Sequence, residues 1–247
     1  MKIIFLGTNG WFDSDTGNTV STLVKTAGCN IILDAGFGIS RADRFLDFEK
    51  PTFIFLSHLH LDHIAGLHSL VKFPFAHPLL LFVPPGEKEA ISFFMAQPFT
   101  IPSKGLPFAM DIRASASRFS CAGVRVVTRR LVHSSTCIGY RFQIGAKTIA
   151  YCTDTGVCAN ALRLAEGADV LITECALRQG QDDEGWPHLD PTHAATMAKE
   201  AKVKRLILTH FDAHNYQTLK ERKTAQKYAR KVFPATIAAF DGMEISV

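Results

Sequence analysis

The segment 57–64 reads SHLHLDHI and follows directly on the apolar run 52–56. That run is rich in the aromatic and β-branched residues of a strand, so His58, His60, Asp62 and His63 emerge where a strand ends. His58 and His60 are two apart and project from the same side of an extended backbone, while Asp62 and His63 follow as the chain turns toward a helix. Four donors within six residues are enough to serve two cations. Imidazole and carboxylate are the ligand set of zinc, manganese or iron hydrolase sites, which keep a position for water. A solvated polar turn would account for one histidine there, but poorly for H-x-H-x-D-H behind an apolar strand.

Three further donors sit at the ends of other apolar runs. His133 follows 125–131, Asp154 follows 148–151 and His210 follows 205–208. Strand ends in one layer lie close in space, so donors remote in sequence can converge. Singly, His133 reads as an ordinary strand-end residue and Asp154 as a turn or helix N-cap. Together with the first cluster they predict one site drawn from residue 58 to residue 210, which makes 1–247 a single domain.

The rest of the pattern supplies layers for such a site. Strands are predicted over 2–6, 19–25, 30–34, 52–56, 78–83, 124–127, 138–142, 148–151, 168–172 and 205–208. Helices are predicted over 64–73, 87–95, 191–201 and 217–232, with Asp190 as an N-cap and Pro191 in the first turn. The three prolines in 98–107 mark a surface loop. This order implies an α/β fold, two sheets covered by helices on their outer faces. With 47% apolar and 20% charged residues the chain is neither disordered nor a membrane bundle, and no apolar run approaches the ~18 residues of a spanning helix. A net charge of +4 excludes an acidic tail or a polybasic arm. The apolar stretch 3–6 is too short for a signal peptide, and the six cysteines contain no C-x-x-C pair, so a cytoplasmic protein with reduced thiols and no membrane partner is expected.

With Asp34 in ILDAG, these residues resemble the pattern of the metallo-β-lactamase superfamily, and the resemblance runs from Gly7 to the closing DGMEISV. It implies an αββα sandwich of two facing mixed β-sheets flanked by helices, with metal at the edge of the sheets. It further implies that His58, His60 and His133 hold a first ion, that Asp62, His63 and His210 hold a second, and that Asp154 bridges them. Asp34 would orient a ligand imidazole or fix a loop. Two divalent ions are implied, zinc first, with manganese or iron as alternatives. Ions about 3.5–4 Å apart and sharing a hydroxide acidify bound water and polarise the scissile group, so the reaction class is hydrolysis.

Within the superfamily the chain resembles the tRNase Z-like phosphodiesterases. LITECAL supplies Glu174, and the stretch HLDPTHAATMAKEAKVKRLILTHF carries His188 and His210. The resemblance makes Glu174 and His188 catalytic together with Asp62, because a carboxylate that holds an imidazole keeps a proton ready for a departing alkoxide. Leu189 stands where that branch often has serine, and Gly17 where an arginine is common. Asp154 follows His133 by only 21 positions, which leaves no room for a tRNA-gripping arm. The arm-free length and FDGMEISV resemble the small-substrate cyclic phosphodiesterases, although their zinc-binding cysteines are absent from 8–19.

The expected activity is therefore a dinuclear phosphodiesterase on a small or nucleotide-like diester. A lactone or thioester hydrolase is the alternative, then a tRNA 3′-end-processing nuclease, and last a binding module with a dead site. A homodimer is compatible with this reading, and the basic positions of 220–231 leave nucleic-acid contact open, although a solvated helix face that includes Arg222 is favoured. His68, His77, His193 and His214 are placed outside the ligand set. Phe73, Phe75, Phe93, Phe94 and Phe99 are assigned to the core.

Overall fold

The computed structural model describes residues 1–181 and 185–247. Its strands are β1 (Lys2–Gly7), β2 (Asn9–Gly10), β3 (Ser21–Lys25), β4 (Asn30–Leu33), β5 (Thr52–Phe55), β6 (Leu79–Val83), β7 (Met110–Ala114), β8 (Arg118–Cys121), β9 (Val124–Arg130), β10 (Ile138–Ile144), β11 (Lys147–Cys152), β12 (Val170–Glu174), β13 (Leu206–Thr209), β14 (Phe211–Asp212), β15 (Thr236–Ala238) and β16 (Glu244–Ser246). The α-helices are α1 (Leu61–Ile64), α2 (Lys88–Phe94), α3 (Ala159–Ala165), α4 (Pro191–Glu200) and α5 (Leu219–Val232). One sheet has the order β16-β1-β3-β4-β5-β6-β7, the other β15-β13-β12-β11-β10-β9-β8, and both are mixed. This is the expected αββα sandwich.

Three apolar layers hold it together. Phe5, Phe55, Phe142 and Ile172 fill the space between the sheets. Ile39, Leu67, Leu70 and Ile91 cover the outer face of the first sheet, and Leu164, Ala195, Ala198 and Ala225 that of the second. Because each sheet is buried on both faces, its central strands read as continuous apolar runs rather than as alternation. The strand directions decide where a site can form. The carboxyl ends of β4 and β5, which are parallel, share an edge, as do those of β11, β12 and β13 in the second sheet. Since β10 is antiparallel to both β9 and β11, β9 ends on the same edge as β11. Among the described residues no helix is long and apolar enough to cross a membrane.

Several expectations give way. The helix expected over 64–73 is one α-turn, α1, followed by a 3-10 helix at Ala65–Lys72. The Gly66 N–H bonds to the carbonyl of Ala35, and a Cβ on Gly66 would lie 2.1 Å from the Gly36 oxygen, so docking on the 35–36 loop tightens the turn. Phe93 and Phe99, assigned to the core, are 65% and 56% exposed, whereas Phe73 and Phe75 are buried as expected. Arg222, placed on a solvated face, is buried, and its guanidinium donates to Thr8 Oγ1 at 2.7 Å, to Thr16 Oγ1 at 2.9 Å and to Asn9 Oδ1. The strands β7, β8, β15 and β16 and the helix α3 were not anticipated, being short and without strong periodicity.

Candidate metal centre

The predicted donors gather at the carboxyl edges of the two sheets. His58 and His60 follow β5, Asp62 and His63 lie in α1, His133 follows β9, Asp154 follows β11 and His210 follows β13. Ligand atoms of His58, His60 and His133 lie within 4.8 Å of one another, as do those of Asp62, His63 and His210. Asp154 joins His58 and His63 in a third such group, and His133 and His188 in a fourth. The Nε2 atoms of His63 and His210 are 3.1 Å apart. Asp154 Oδ2 stands 2.9 Å from the first, and Asp62 Oδ2 3.1 Å from the second.

Backbone strain marks the same places. Asp34 and His210 adopt positive φ of 57° and 49° directly after β4 and β13, Asp154 has φ of 52° two residues after β11, and Trp11 has φ of 73°. For residues other than glycine such angles cost about 1–3 kcal/mol each and persist where surrounding contacts over-determine them. Each turns the chain sharply at a sheet edge.

Asp34 is the organising carboxylate beneath the donors. Fully buried, it accepts from the Ser57 N–H at 2.6 Å, from the hydroxyls of Ser57 at 2.8 Å and Tyr151 at 2.6 Å, and pairs with Nδ1 of His63 at 2.9 Å. With its Nδ1 engaged there, His63 presents Nε2 to the cluster. His58 Nδ1 lies 3.0 Å from the Ser57 hydroxyl. Neither Ser57 nor Tyr151 was a sequence candidate, because nothing local in a strand end announces a carboxylate on the neighbouring strand, as for Ser57, or across the sandwich, as for Tyr151.

The donor set fits divalent cations. His58 Nε2 is buried with no hydrogen-bond partner among the described residues, an arrangement costly for an imidazole unless a cation takes its lone pair. Burial, and then the neighbouring His63, hold its pKa well below the usual histidine value, so the ring is neutral. Burial likewise pushes His133 down to about 4. Burial opposes ionisation of Asp62 and Asp154, yet the surrounding histidines, His63 and His210 among them, hold both well below the usual carboxylate range. His63 and His210 go the other way: burial would lower them, but the neighbouring carboxylates, Asp154 first, outweigh it and raise both, so a cation would displace a proton there. Neutral His58 and His133 and the ionised carboxylates already have the forms that coordinate metal.

At the rim, Glu174 closes β12 fully buried and lies 2.8 and 3.0 Å from Nδ1 of His188. It also accepts from the Thr155 N–H at 2.6 Å, beside Asp154. Burial alone would lower the His188 pKa, but Glu174 outweighs it and the value rises to about 9. His188, His60, His133, Asp62, Asp154 and His210 line a cavity of about 310 Å³, together with Gly10, Trp11 and Trp186. Gly10 is required there: a Cβ would lie 2.4 Å from Cε1 of His210. The Trp11 N–H donates to Asp62 Oδ2 at 2.8 Å. These last three residues escaped the sequence reading, although Trp11 and Trp186 are the only tryptophans in the chain.

Fold and donors together define a metallo-hydrolase of β-lactamase fold. The chain belongs to the metallo-β-lactamase superfamily, for residues 29–211 match the family model described as the beta-lactamase superfamily domain. It is 28% identical over 236 residues to a Bacillus subtilis protein named a probable metallo-hydrolase, YhfI, covering 91% of this chain and 93% of that one. The crystal structure of YhfI superposes with a TM-score of 0.84 at 23% identity, over 99% of this chain and 98% of that chain. A Ribonuclease Z of Metallosphaera sedula is 26% identical over 294 aligned positions, covering 98% of this chain and 97% of its own.

Proposed function

We propose that this chain hydrolyses phosphodiesters, acting on a small or nucleotide-like diester with two divalent ions, zinc first. The observation that carries this reading is the Glu174–His188 pair beside Asp154. His188 Nδ1 is held by Glu174, and the ring lines the cavity next to the donor cluster. Hydrolysis of an alkyl diester must place a proton on a departing alkoxide, and an imidazolium stabilised by a buried carboxylate is suited to that. Acyl hydrolysis of a lactone or thioester has less need of such a group.

Ions held by His58, His60 and His133 and by Asp62, His63 and His210, with Asp154 shared, would supply Lewis-acid polarisation of the phosphoryl oxygens and an acidified water. The residues of the chain do the rest. Asp34 fixes the His63 ring, Trp11 holds Asp62 through its N–H, and Glu174 engages Nδ1 of His188, which leaves the Nε2 proton as the one to donate. The kinship with a ribonuclease agrees with phosphodiester chemistry. The interval between His133 and Asp154 is taken up by β10, a tight turn and β11, so a small substrate suits this chain better than a gripped tRNA.

Elemental analysis of the purified protein, with a panel of alkyl diester, lactone and thioester substrates, tests the reading. Two metal equivalents and diester turnover are expected. Lactone or thioester hydrolysis without diester activity would overturn the phosphodiesterase reading. A content that never exceeds one equivalent, unchanged in His210→Ala, would overturn the dinuclear one.

A further inference from the structure

Exposed indoles are uncommon on a protein surface, and here both tryptophans of the chain stand at one opening. Trp11 is 64% and Trp186 42% exposed, with ring centroids 5.9 Å apart. Trp186 lies 6.2 and 6.3 Å from the rings of His60 and His133, and its plane is within 5° of parallel to that of His188. Both indoles therefore border the space beside the donor cluster, Trp186 on the His60–His133 side and Trp11 against Trp186. Leu61, exposed at the same rim, and Ala176 extend the apolar wall. Among the described residues the cavity lining includes no lysine or arginine, and Asp212 adds a further carboxylate to it. What the wall offers the non-reacting part of a substrate is aromatic surface.

We infer that Trp11 and Trp186 form a stacking site for a planar aromatic group carried by the scissile phosphate, a nucleobase being the form in which phosphodiesters carry one. This rests on the phosphodiesterase reading and adds to it the part of the substrate that selects. Indole stacks on any flat π-face, so the site would prefer bases over open or saturated groups without reading one base against another.

The two tryptophans are the only ones in the chain, so indole emission reports on this site alone and does not depend on turnover. The metal-loaded protein is titrated with thymidine 5′-monophosphate, phenyl phosphate and ribose 5-phosphate, and Trp11→Phe is used to isolate Trp186. The nucleotide should half-saturate the emission change at a concentration roughly 5- to 150-fold below that of ribose 5-phosphate, the range expected for one stacked base. Tighter binding of the nucleotide than of phenyl phosphate supports a nucleobase, and the reverse order supports a plain aryl group on the same stacking site. Equal half-saturation by nucleotide and ribose 5-phosphate overturns the inference.

In turnover, the ratio of kcat/KM for a nucleoside-bearing diester to that for the matching base-free diester should fall toward one in Trp186→Ala and be largely kept in Trp186→Tyr. Taking a ratio within each variant cancels any damage to the metal centre. Diester hydrolysis without base preference removes the inference and leaves the phosphodiesterase reading. Selective nucleotide binding with no diester hydrolysis does the opposite.

Discussion

His188 separates proton donation from mere occupancy of a metal site. If it protonates the leaving group, His188→Ala should slow a diester with an alkyl leaving group by the ~10²- to 10⁴-fold of general acid catalysis. A nitrophenyl diester, whose leaving group is already acidic, should lose much less while metal content stays intact, as parallel kinetics and elemental analysis would establish. Equal losses on both substrates would remove the acid role. Gly10 makes a second, purely geometric case. A methyl group there would sit 2.4 Å from the His210 ring, and the ring is wedged beside Asp62 and Asp154 with little freedom to retreat. On the proposed dinuclear reading, Gly10→Ala should therefore lower bound metal from two equivalents toward one, which dialysis followed by elemental analysis checks.

Elements matter through what they bring to the edge. The helix α5 starts on a capping box in which Thr218 and Glu221 satisfy each other's backbone donors. It then sends Arg222 inward rather than out, onto the Phe211 ring at 4.8 Å and onto the oxygens of Thr8, Asn9 and Thr16. That guanidinium ties α5 to the segment after β1, which runs through β2 and carries Gly10 and Trp11 to the site. Replacing it with methionine leaves three buried acceptors without their charged donor. The cost should be on the order of 3 kcal/mol, read as a lower denaturation midpoint at unchanged m. Lysine should recover only part of this, since a single ammonium cannot span the three oxygens that the guanidinium fork reaches.

At the scale of the molecule, donors from both sheets meet on one edge, so bound ions would stabilise the sandwich as a whole. At a free concentration of ~1,000 times Kd, binding adds about 4 kcal/mol. For a chain of this size that corresponds to a fall in Tm on the order of 10 °C on chelation, measurable by calorimetry with and without a chelator. A Tm indifferent to chelation, in protein that had carried metal, would mean that the ions bind the folded chain no more tightly than the unfolded one and contribute nothing to holding the sheets together.

The donors were legible because their chemistry is local. H-x-H-x-D-H behind a strand, and a lone His or Asp at the end of each later apolar run, can be recognised before any fold is known. The buried central strands were legible for a related reason, since burial on both faces writes continuous apolar runs. Short edge strands such as β7 and β16 lack that signal. Neither the Arg222 contacts nor the meeting of Trp11 with Trp186 could be read from the chain. A basic residue on a polar helix looks solvated until a loop more than 200 positions away closes over it, and two tryptophans 175 positions apart become neighbours only when the sheets face each other. The sequence by itself determined the kinds of donor side chain and the layers that carry them. Which polar side chains lie beneath the donors, and which aromatic rings stand above them, was decided by the packing of the sandwich, because those contacts depend on distances that no local pattern encodes.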